Sequence, residues 1–317
     1  MLHGIRLATL SVGRRFGIIF TIMLRLDRRA FVCAGAGAAV GAVLPACSTV
    51  PQNEVPLVRF GLVTDLHFAR IPARGNRQYA QSAAKLSRIV SAMNEAQPDF
   101  MVELGDFKDL GPTKAETLAY LDEIEGVFRG FKGPRHHVLG NHDTDCLSKE
   151  EFLAHVDHAG YEGTYYSFVQ NGIVFVVLDA CFTSDMKPYC CANPWEDANI
   201  PPKELAWLER TLADASGPVV VFCHQRLDPE SEPRHLVRNA AAVRAVLEQG
   251  GKVRSVFTGH QHGGGDCTHN GIRYFTLSAL VMGADMPSAI IELFSDGRVN
   301  INADVLSESS YRKEIKS

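Results

Sequence analysis

Seven side chains that can bind metal ions stand just after apolar, strand-like runs of this 317-residue sequence. They comprise two carboxylates, one amide and four imidazoles: Asp65, His67, Asp106, Asn141, His224, His260 and His262. About six ligands already fill the coordination sphere of one such ion, so the set fits two ions that share a carboxylate better than one. Nitrogen and oxygen donors without thiolate favour Mn, Fe, Zn or Co and argue against calcium. The sequence therefore predicts a site for two divalent metal ions.

Two of the donor pairs have a spacing that would direct both members to one side. Asp65 and His67 are separated by one residue, as are His260 and His262. On an extended segment, residues two apart face the same way. We therefore expect each pair to point into the same site from an extended backbone.

Alternating strand-like and helix-like segments from residue 57 onward would position these donors. Helices are predicted over residues 76–96, 113–128, 148–158, 202–215 and 237–249, with Thr113 and Ser148 as N-caps. A β-α-β order implies parallel strands, and Asn171-Gly172 indicates a type I′ hairpin at an antiparallel edge. Ligands bind at the carboxyl ends of strands in such folds, which is where the donors stand. A mixed α/β sandwich is the predicted fold class.

The motifs resemble the calcineurin-like metallophosphoesterase superfamily over roughly residues 60–302. Five motifs occur in the family's order: Asp65-x-His67, Gly105-Asp106 with Asp109, Gly140-Asn141-His142-Asp143, His224, and Gly259-His260-Gln261-His262. The resemblance implies a four-layer α/β/β/α sandwich with mixed sheets. It also implies that one ion is bound by Asp65, His67, Asp106 and His262, and the other by Asp106, Asn141, His224 and His260.

The same resemblance implies two catalytic residues. His142 would lie near the leaving-group oxygen as a proton donor or charge stabiliser, and Asp143 would orient its ring. The reaction it implies is phosphoester or pyrophosphate hydrolysis by a hydroxide that the metal ions generate from water near neutral pH. No protein nucleophile is required.

Softer matches narrow the resemblance to the manganese-dependent ADP-ribose/CDP-alcohol diphosphatase group. They include residues 60–61, 104–106, 165–168, 177–180, 205–208 and 259–265. A small phosphorylated substrate derived from a nucleotide is the partner this implies. The alternatives are a phosphomonoesterase or a cyclic-nucleotide phosphodiesterase of the same superfamily, a non-catalytic metal-binding exported lipoprotein, and a thiol-redox protein.

Charge argues against nucleic acid as a partner. The formal net charge is -4, and beyond Ala46 the chain has 26 basic and 35 acidic residues. Binding to phosphate backbones needs clustered Lys and Arg. We therefore expect anionic substrates to be held locally, by metal ions.

The first 47 residues have the pattern of a bacterial export signal. Arg28-Arg29 with Phe31 resembles a twin-arginine signal, and residues 44–47 resemble a lipobox ending at Cys47. Contact with a membrane is expected only through this signal or a lipid anchor, in a periplasmic or membrane-anchored protein. Translation could start at Met1 or Met23. The remaining organisation is a linker over 48–56, one metallophosphoesterase domain over 57–306 and a tail over 307–317.

Two further features concern the long loops. Six cysteines beyond the leader could form disulfides in an exported chain: Cys146, Cys181, Cys190, Cys191, Cys223 and Cys267. The long loop over residues 181–200 is our candidate for substrate specificity, because long loops in compact domains are often functional. Trp195 in this loop could stack on a base. His235 is expected to be solvated.

Overall fold

The computed structural model describes residues 55–191 and 194–303, which belong to one compact unit, Gln52–Ser317. Its strands are β1 (Val58–Val63), β2 (Phe100–Glu103), β3 (Arg135–His137), β4 (Tyr166–Gln170), β5 (Ile173–Val177), β6 (Val219–Phe222), β7 (Val253–Thr258), β8 (Gly265–His269), β9 (Ile272–Thr276), β10 (Ala289–Leu293) and β11 (Val299–Ala303). Its α-helices are α1 (Ser82–Ala96), α2 (Lys114–Phe128), α3 (Lys149–Leu153), α4 (Pro202–Asp214) and α5 (Ala240–Glu248). The predicted leader, the tail and residues 48–54 of the linker lie outside the described residues. No described helix is long and apolar enough to span a membrane.

Two mixed sheets form the centre of the fold. One has the strand order β11-β10-β1-β2-β3 and the other β4-β5-β6-β7-β9-β8. The β1–β2–β3 and β5–β6–β7–β9 pairings are parallel, whereas β10, β11, β4 and β8 pair antiparallel. Strands β2, β5 and β6 are almost wholly apolar, as is typical of strands that are buried on both faces. The expected mixture of parallel centres and antiparallel edges is confirmed.

Three apolar layers hold the two sheets and the helices together. Inward side chains of both sheets form an aromatic core in which the Phe60 ring lies 5.1 to 5.7 Å from those of Phe100, Phe175, Phe222 and Phe257. Helices α1 and α2 pack on the outer face of the first sheet, and α4 and α5 on that of the second. The layers are therefore α/β/β/α, as predicted. This packing brings the carboxyl ends of β1, β2, β3, β6 and β7 to a common edge.

The helix caps and the hairpin turn that local sequence patterns predicted are present in the structure. Thr113 accepts a hydrogen bond from the Glu116 N–H, and Ser148 and Glu151 form a complete capping box. Asn171 and Gly172 have φ of 49° and 81°, as a type I′ turn requires. The helix predicted over 148–158 nevertheless ends at Leu153. Beyond it the chain bonds elsewhere, since the Asp157 N–H donates to Glu125 of α2 and Val156 packs against the α1–α2 layer.

His136 of β3 is buried in the aromatic core as a neutral imidazole. Its ring stacks on Phe168 at 4.1 Å, and its Nδ1 lies 3.1 Å from the Tyr166 hydroxyl. Burial lowers the pKa of His136 to about 3, and the nearby His158 and His137 contribute in the same direction.

We expect His136 to make folding sensitive to acid. An unfolded histidine titrates near 6.5, so the unfolded state binds the proton first as pH falls. Stability should decrease from about pH 6.5 towards pH 3, by up to about 1.4 kcal/mol per pH unit. Replacing His136 with Phe should flatten the pH dependence of the free energy of unfolding, measured with urea. Phe257→Leu is the control, because this ring of the same core packs on Phe60 and Phe222: it should lower stability at every pH without changing the slope. An unchanged slope in His136→Phe would contradict this account.

Candidate metal centre

The structure brings the predicted donors together in two adjacent groups at the common sheet edge. Asp65, His67 and His262 converge in one, and Asp106, His224 and His260 in the other. The Nε2 atoms of His67 and His262 are 3.1 Å apart, and the Asp65 Oδ1 lies 3.4 Å from the His262 Nε2. In the second group, the His260 Nδ1 is 3.2 Å from the His224 Nε2. Except for His262, all of these side chains are buried.

Asp106 lies between the two groups. Its Oδ2 is 3.5 Å from the His67 Nε2 of the first group and 3.2 Å from the His224 Nε2 of the second. Its Oδ1 accepts a hydrogen bond of 2.7 Å from the His142 N–H, which fixes the plane of the carboxylate. One oxygen therefore faces both groups, which is where a bridging ligand must be.

Several donors sit in tight turns and not, as we expected, on an extended backbone. Asp65, His67, Asp106 and His260 have φ of 50°, 44°, 56° and 67°, in the left-handed region. The prediction that alternation along a strand aligns the pairs is therefore wrong. Such backbone costs roughly 1–2 kcal/mol per residue, and the surrounding hydrogen bonds hold it. The Asp65 N–H donates to the Gly105 carbonyl at 3.0 Å and the His67 N–H to the Asp106 carbonyl at 2.8 Å.

Two motif glycines are needed because the turns touch one another. A Cβ at Gly140 would lie 2.1 Å from the Asp106 nitrogen, and one at Gly259 would lie 2.0 Å from the Thr64 Oγ1. A larger residue at either position would push apart the turns that carry the donors. These glycines therefore serve close approach of backbone and not flexibility.

Oxygen atoms on the side away from the site orient the rings of two histidines. The His224 Nδ1 donates to the Leu104 carbonyl at 2.8 Å, and the His67 Nδ1 lies 3.3 Å from the Asp109 Oδ2. Histidines that bind metals almost always use the second nitrogen in this way, which leaves Nε2 free for the ion. Asp109, which follows the Gly105-Asp106 motif, thus contacts a predicted ligand from outside.

The electrostatics of the site rest on opposed buried charges. Burial alone would raise the pKa of Asp65, but the nearby imidazoles of His262 and His67 hold it well below its usual range. Burial would lower the pKa of His67 and His224, yet the carboxylates raise it to about 9 and about 10. The pKa of His260 falls to about 3, through burial and the charge of His224.

Several donor atoms have no hydrogen-bond partner within the described site, whereas a metal ion could bind them. Asp65 Oδ1, Asn141 Oδ1 and His260 Nε2 are buried and have no hydrogen-bond partner among the described residues. Leaving such an atom unpaired costs about 1–3 kcal/mol. Divalent cations would bind these atoms and would supply positive charge beside the buried carboxylates.

His142 and Asp143 both lie at the site, but Asp143 makes different contacts from the one we expected. The Asp143 carboxylate accepts from the N–H groups of Asp106 (3.0 Å), Phe107 (2.9 Å) and Gly140 (2.8 Å), so it ties two donor turns together. The prediction that Asp143 orients the His142 ring is wrong. Asp145 does so, with its Oδ2 2.8 Å from the His142 Nδ1. Residues 142–144 form a 3₁₀ turn, in which side chains three apart eclipse and adjacent ones diverge.

The His142 ring is the more exposed part of this region. It lies 4.6 Å from the His67 ring, and 27% of its side chain is accessible. Burial lowers its pKa, but Asp106 and Asp145 raise it above the ordinary value. The buried ammonium of Lys108 donates to the His142 carbonyl and holds the turn in place.

Two residues outside the predicted donor set pack against its second group. The Trp195 and His235 rings lie 5.4 Å from the ring of His260, and 5.6 Å from each other. The Arg234 guanidinium lies over Trp195, 4.7 Å from the ring centroid. His235, which we expected to be solvated, keeps only 20% of its side chain accessible. No local pattern could have indicated its position, because residue 235 and residue 195 meet only through the fold.

The six described cysteines are free thiols. Cys181 and Cys223 are buried, and burial raises the pKa of both thiols. Cys223 packs in the outer layer between the second sheet and its helices, so it points away from the donors. Among the described residues, the disulfides considered from the sequence do not form.

Comparison with known proteins gives a consistent result. A family model described as Calcineurin-like phosphoesterase matches residues 58–264. A protein of Oryza sativa named Manganese-dependent ADP-ribose/CDP-alcohol diphosphatase is 27% identical over 304 residues, covering 81% of this chain and 95% of that protein. One of the same name from Arabidopsis thaliana is 28% identical over 253 residues, covering 66% and 81%. A solved structure, a dimetal phosphatase from Danio rerio, shares the fold with a TM-score of 0.68 at 23% identity, covering 78% of this chain and 96% of that one.

The contact between Trp195 and His260 gives a direct optical test for metal binding. The chain has two tryptophans, so Trp207→Phe leaves Trp195 as the reporter. Paramagnetic Mn²⁺ held by His260 should quench the fluorescence of this variant saturably, whereas diamagnetic Zn²⁺ should compete with the quenching. Trp195→Phe is the matched control, because Trp207 on α4 packs against Tyr165 and should report little change. Equal quenching in both variants would contradict the placement of an ion at His260.

Proposed function

The chain belongs to the calcineurin-like phosphoesterase family, and from this premise we propose that it hydrolyses the diphosphate bond of a nucleotide-derived substrate with two divalent metal ions as cofactor. The observation that carries the proposal is the position of Asp106, whose Oδ2 faces both donor groups. The names of the plant relatives favour ADP-ribose or a CDP-alcohol as substrate and manganese as the metal.

We propose the division of the donors between the ions that the family motifs imply, and the two donor groups support it. Asp65, His67, Asp106 and His262 would hold one ion, and Asp106, Asn141, His224 and His260 the other. When bound, the ions would supply positive charge for the phosphoryl group and a lowered pKa for the attacking water. Asn141 adds a neutral oxygen, which limits the negative charge that the chain places next to an anionic substrate.

His142 supplies the proton that the reaction needs on the leaving side. Its ring is partly exposed, stands against the first donor group and is oriented by Asp145. Asp106 and Asp145 raise the pKa of His142 above its ordinary value, which favours the proton-carrying form of the ring that donates to the departing oxygen. A protein that only bound metal would have no use for this arrangement, so His142 favours the enzyme over a non-catalytic binding protein.

Replacing Asp106 with Ala should remove the shared ligand and with it both ions. We expect hydrolysis of bis-p-nitrophenyl phosphate with added Mn²⁺ to fall at least ~10³-fold, because both donor groups lose a charged oxygen. Mass spectrometry of the purified variant should show that it has lost both equivalents of bound metal ion. Asp266→Ala, which removes a carboxylate of β8 that pairs with Arg273, is the control and should retain activity. Retained metal and activity in Asp106→Ala would refute the bridging role.

A substrate panel separates this proposal from the related activities. ADP-ribose and CDP-choline should be cleaved with a higher kcat/KM than p-nitrophenyl phosphate or cyclic AMP, with Mn²⁺, Fe²⁺, Zn²⁺ and Co²⁺ tried in turn. Preference for the monoester would instead indicate a phosphatase, and preference for cyclic AMP a cyclic-nucleotide phosphodiesterase. No turnover of any substrate by metal-loaded protein would exclude the enzyme.

We further propose that the chain is exported from a bacterial cytoplasm and anchored through a lipid on Cys47. The support is the Arg28-Arg29 pair with Phe31 and the segment that ends at Cys47. In a bacterial host, wild-type protein should fractionate with membranes and Cys47→Ser with the soluble periplasm. Replacing both Arg28 and Arg29 with Lys should leave the protein in the cytoplasm. Identical fractionation of all three would contradict the proposal.

A further inference from the structure

A cleft of about 420 Å³ opens beside the catalytic histidine. It is lined by Ile71, Arg74, Asp109, Leu110, Gly111, Pro112, His142 and Asp145. One wall is therefore the His142–Asp145 pair, and the rest comes from the segments that follow β1 and β2. The cleft lies on the side of the first donor group, since His142 stands against His67, whereas Trp195 covers the second group.

The charges that line the cleft are not equivalent. Asp109 faces His67 and Asp145 faces His142, so both carboxylates already have imidazole partners. Arg74 has no ion-pair partner among the described residues. Its neighbour Arg70, in contrast, is held by two hydrogen bonds to Glu123. Arg74 is thus the one cation of the lining whose charge is available to a ligand.

The backbone of Arg74 is held in place relative to the metal centre. Arg74 and Arg77 exchange two backbone hydrogen bonds of 3.2 and 3.0 Å across a turn. This turn is bonded to the segment 281–283, through the Gln78 N–H to the Val281 carbonyl and the Gly283 N–H to the Asn76 carbonyl. The Val281 N–H in turn donates to the Asp65 carbonyl at 3.0 Å. An unbroken series of backbone bonds therefore joins the Arg74 turn to a metal-binding residue.

The rest of the lining is apolar. Ile71, Pro112 and the half-exposed Leu110 form it, and Leu110 is one of few large apolar side chains with more than a third of its surface accessible. An apolar wall with one available guanidinium suits an organic group that carries a phosphate. Guanidinium binds phosphate through paired, charge-assisted hydrogen bonds.

We propose that this cleft binds the leaving half of the substrate, a phosphorylated organic group whose phosphate pairs with Arg74. The inference rests on the proposed function and deepens it. In diphosphate hydrolysis, the oxygen of water bonds to one phosphorus, and the bond from that phosphorus to the bridging oxygen breaks. The bridging oxygen departs with the electron pair as part of the second phosphate. His142 would meet that oxygen, and the cleft that begins at His142 would hold the phosphate behind it.

Arg74 therefore discriminates between leaving groups. A diphosphate leaves as a phosphate that Arg74 can pair with, whereas bis-p-nitrophenyl phosphate leaves as a phenolate without a second phosphate. Arg74→Ala should lower kcat/KM for ADP-ribose about 10- to 100-fold, the range expected for a lost hydrogen-bonded charge. The same variant should hydrolyse bis-p-nitrophenyl phosphate within about twofold of wild type. Arg74→Lys should recover part of the loss.

Arg77→Ala is the matched control, since Arg77 is on the same turn but does not line the cleft. It should leave both substrates unaffected. A second measurement uses the products: AMP and ribose 5-phosphate are tested as inhibitors of bis-p-nitrophenyl phosphate hydrolysis. For at least one of them, the inhibition constant should rise about tenfold in Arg74→Ala, which corresponds to about 1.4 kcal/mol.

The outcomes separate this inference from the function on which it rests. If wild type hydrolyses bis-p-nitrophenyl phosphate but Arg74→Ala loses both substrates equally, Arg74 supports the site and does not select the leaving group. Unchanged kinetics for ADP-ribose together with unchanged product inhibition would also overturn the assignment. Absence of hydrolysis of both substrates by wild type would instead overturn the proposed function.

Discussion

The contact of one carboxylate oxygen of Asp106 with two histidines is the interaction on which the site depends. Buried carboxylates are tolerated only when opposite charges and hydrogen bonds compensate their lost hydration. Here His67 and His224 supply the charges and the His142 backbone supplies the hydrogen bond. The unpaired atoms that remain, on Asp65, Asn141 and His260, leave this compensation incomplete, so the site is built to receive cations.

The sandwich supplies the rigidity that such an arrangement needs. Donors in left-handed turns would relax if the strand ends could move, but the strands are held between an aromatic core and two helical layers. Asp143 then ties the Asp106 and Gly140 turns through three backbone hydrogen bonds. Asp143, which the sequence suggested was catalytic, thus connects two loops. Packing elsewhere offsets the strain of the turns.

The two sides of the metal centre differ in how much space they leave for a ligand, and this difference would orient the substrate. On the first side, His142 and the cleft with Arg74 are open to a ligand. On the second, Trp195 and His235 lie against His260 and limit the space around it. A substrate with two unlike halves would therefore be oriented by the protein, with the phosphorylated leaving half directed towards Arg74.

The sequence by itself determined the donor types, their order and the elements that carry them. Polar residues that end apolar strands converge in any parallel sheet, and caps such as Thr113 and Ser148 depend on residues only three apart. Tertiary structure decided what depends on backbone turns and on distant contacts. Asp145, and not Asp143, orients His142 because a 3₁₀ turn aligns residues three apart. Trp195 and His235 meet His260, and Arg74 lines the cleft, only because the fold joins segments far apart in the chain. The spacing of residues along the sequence does not reveal which distant segments come into contact.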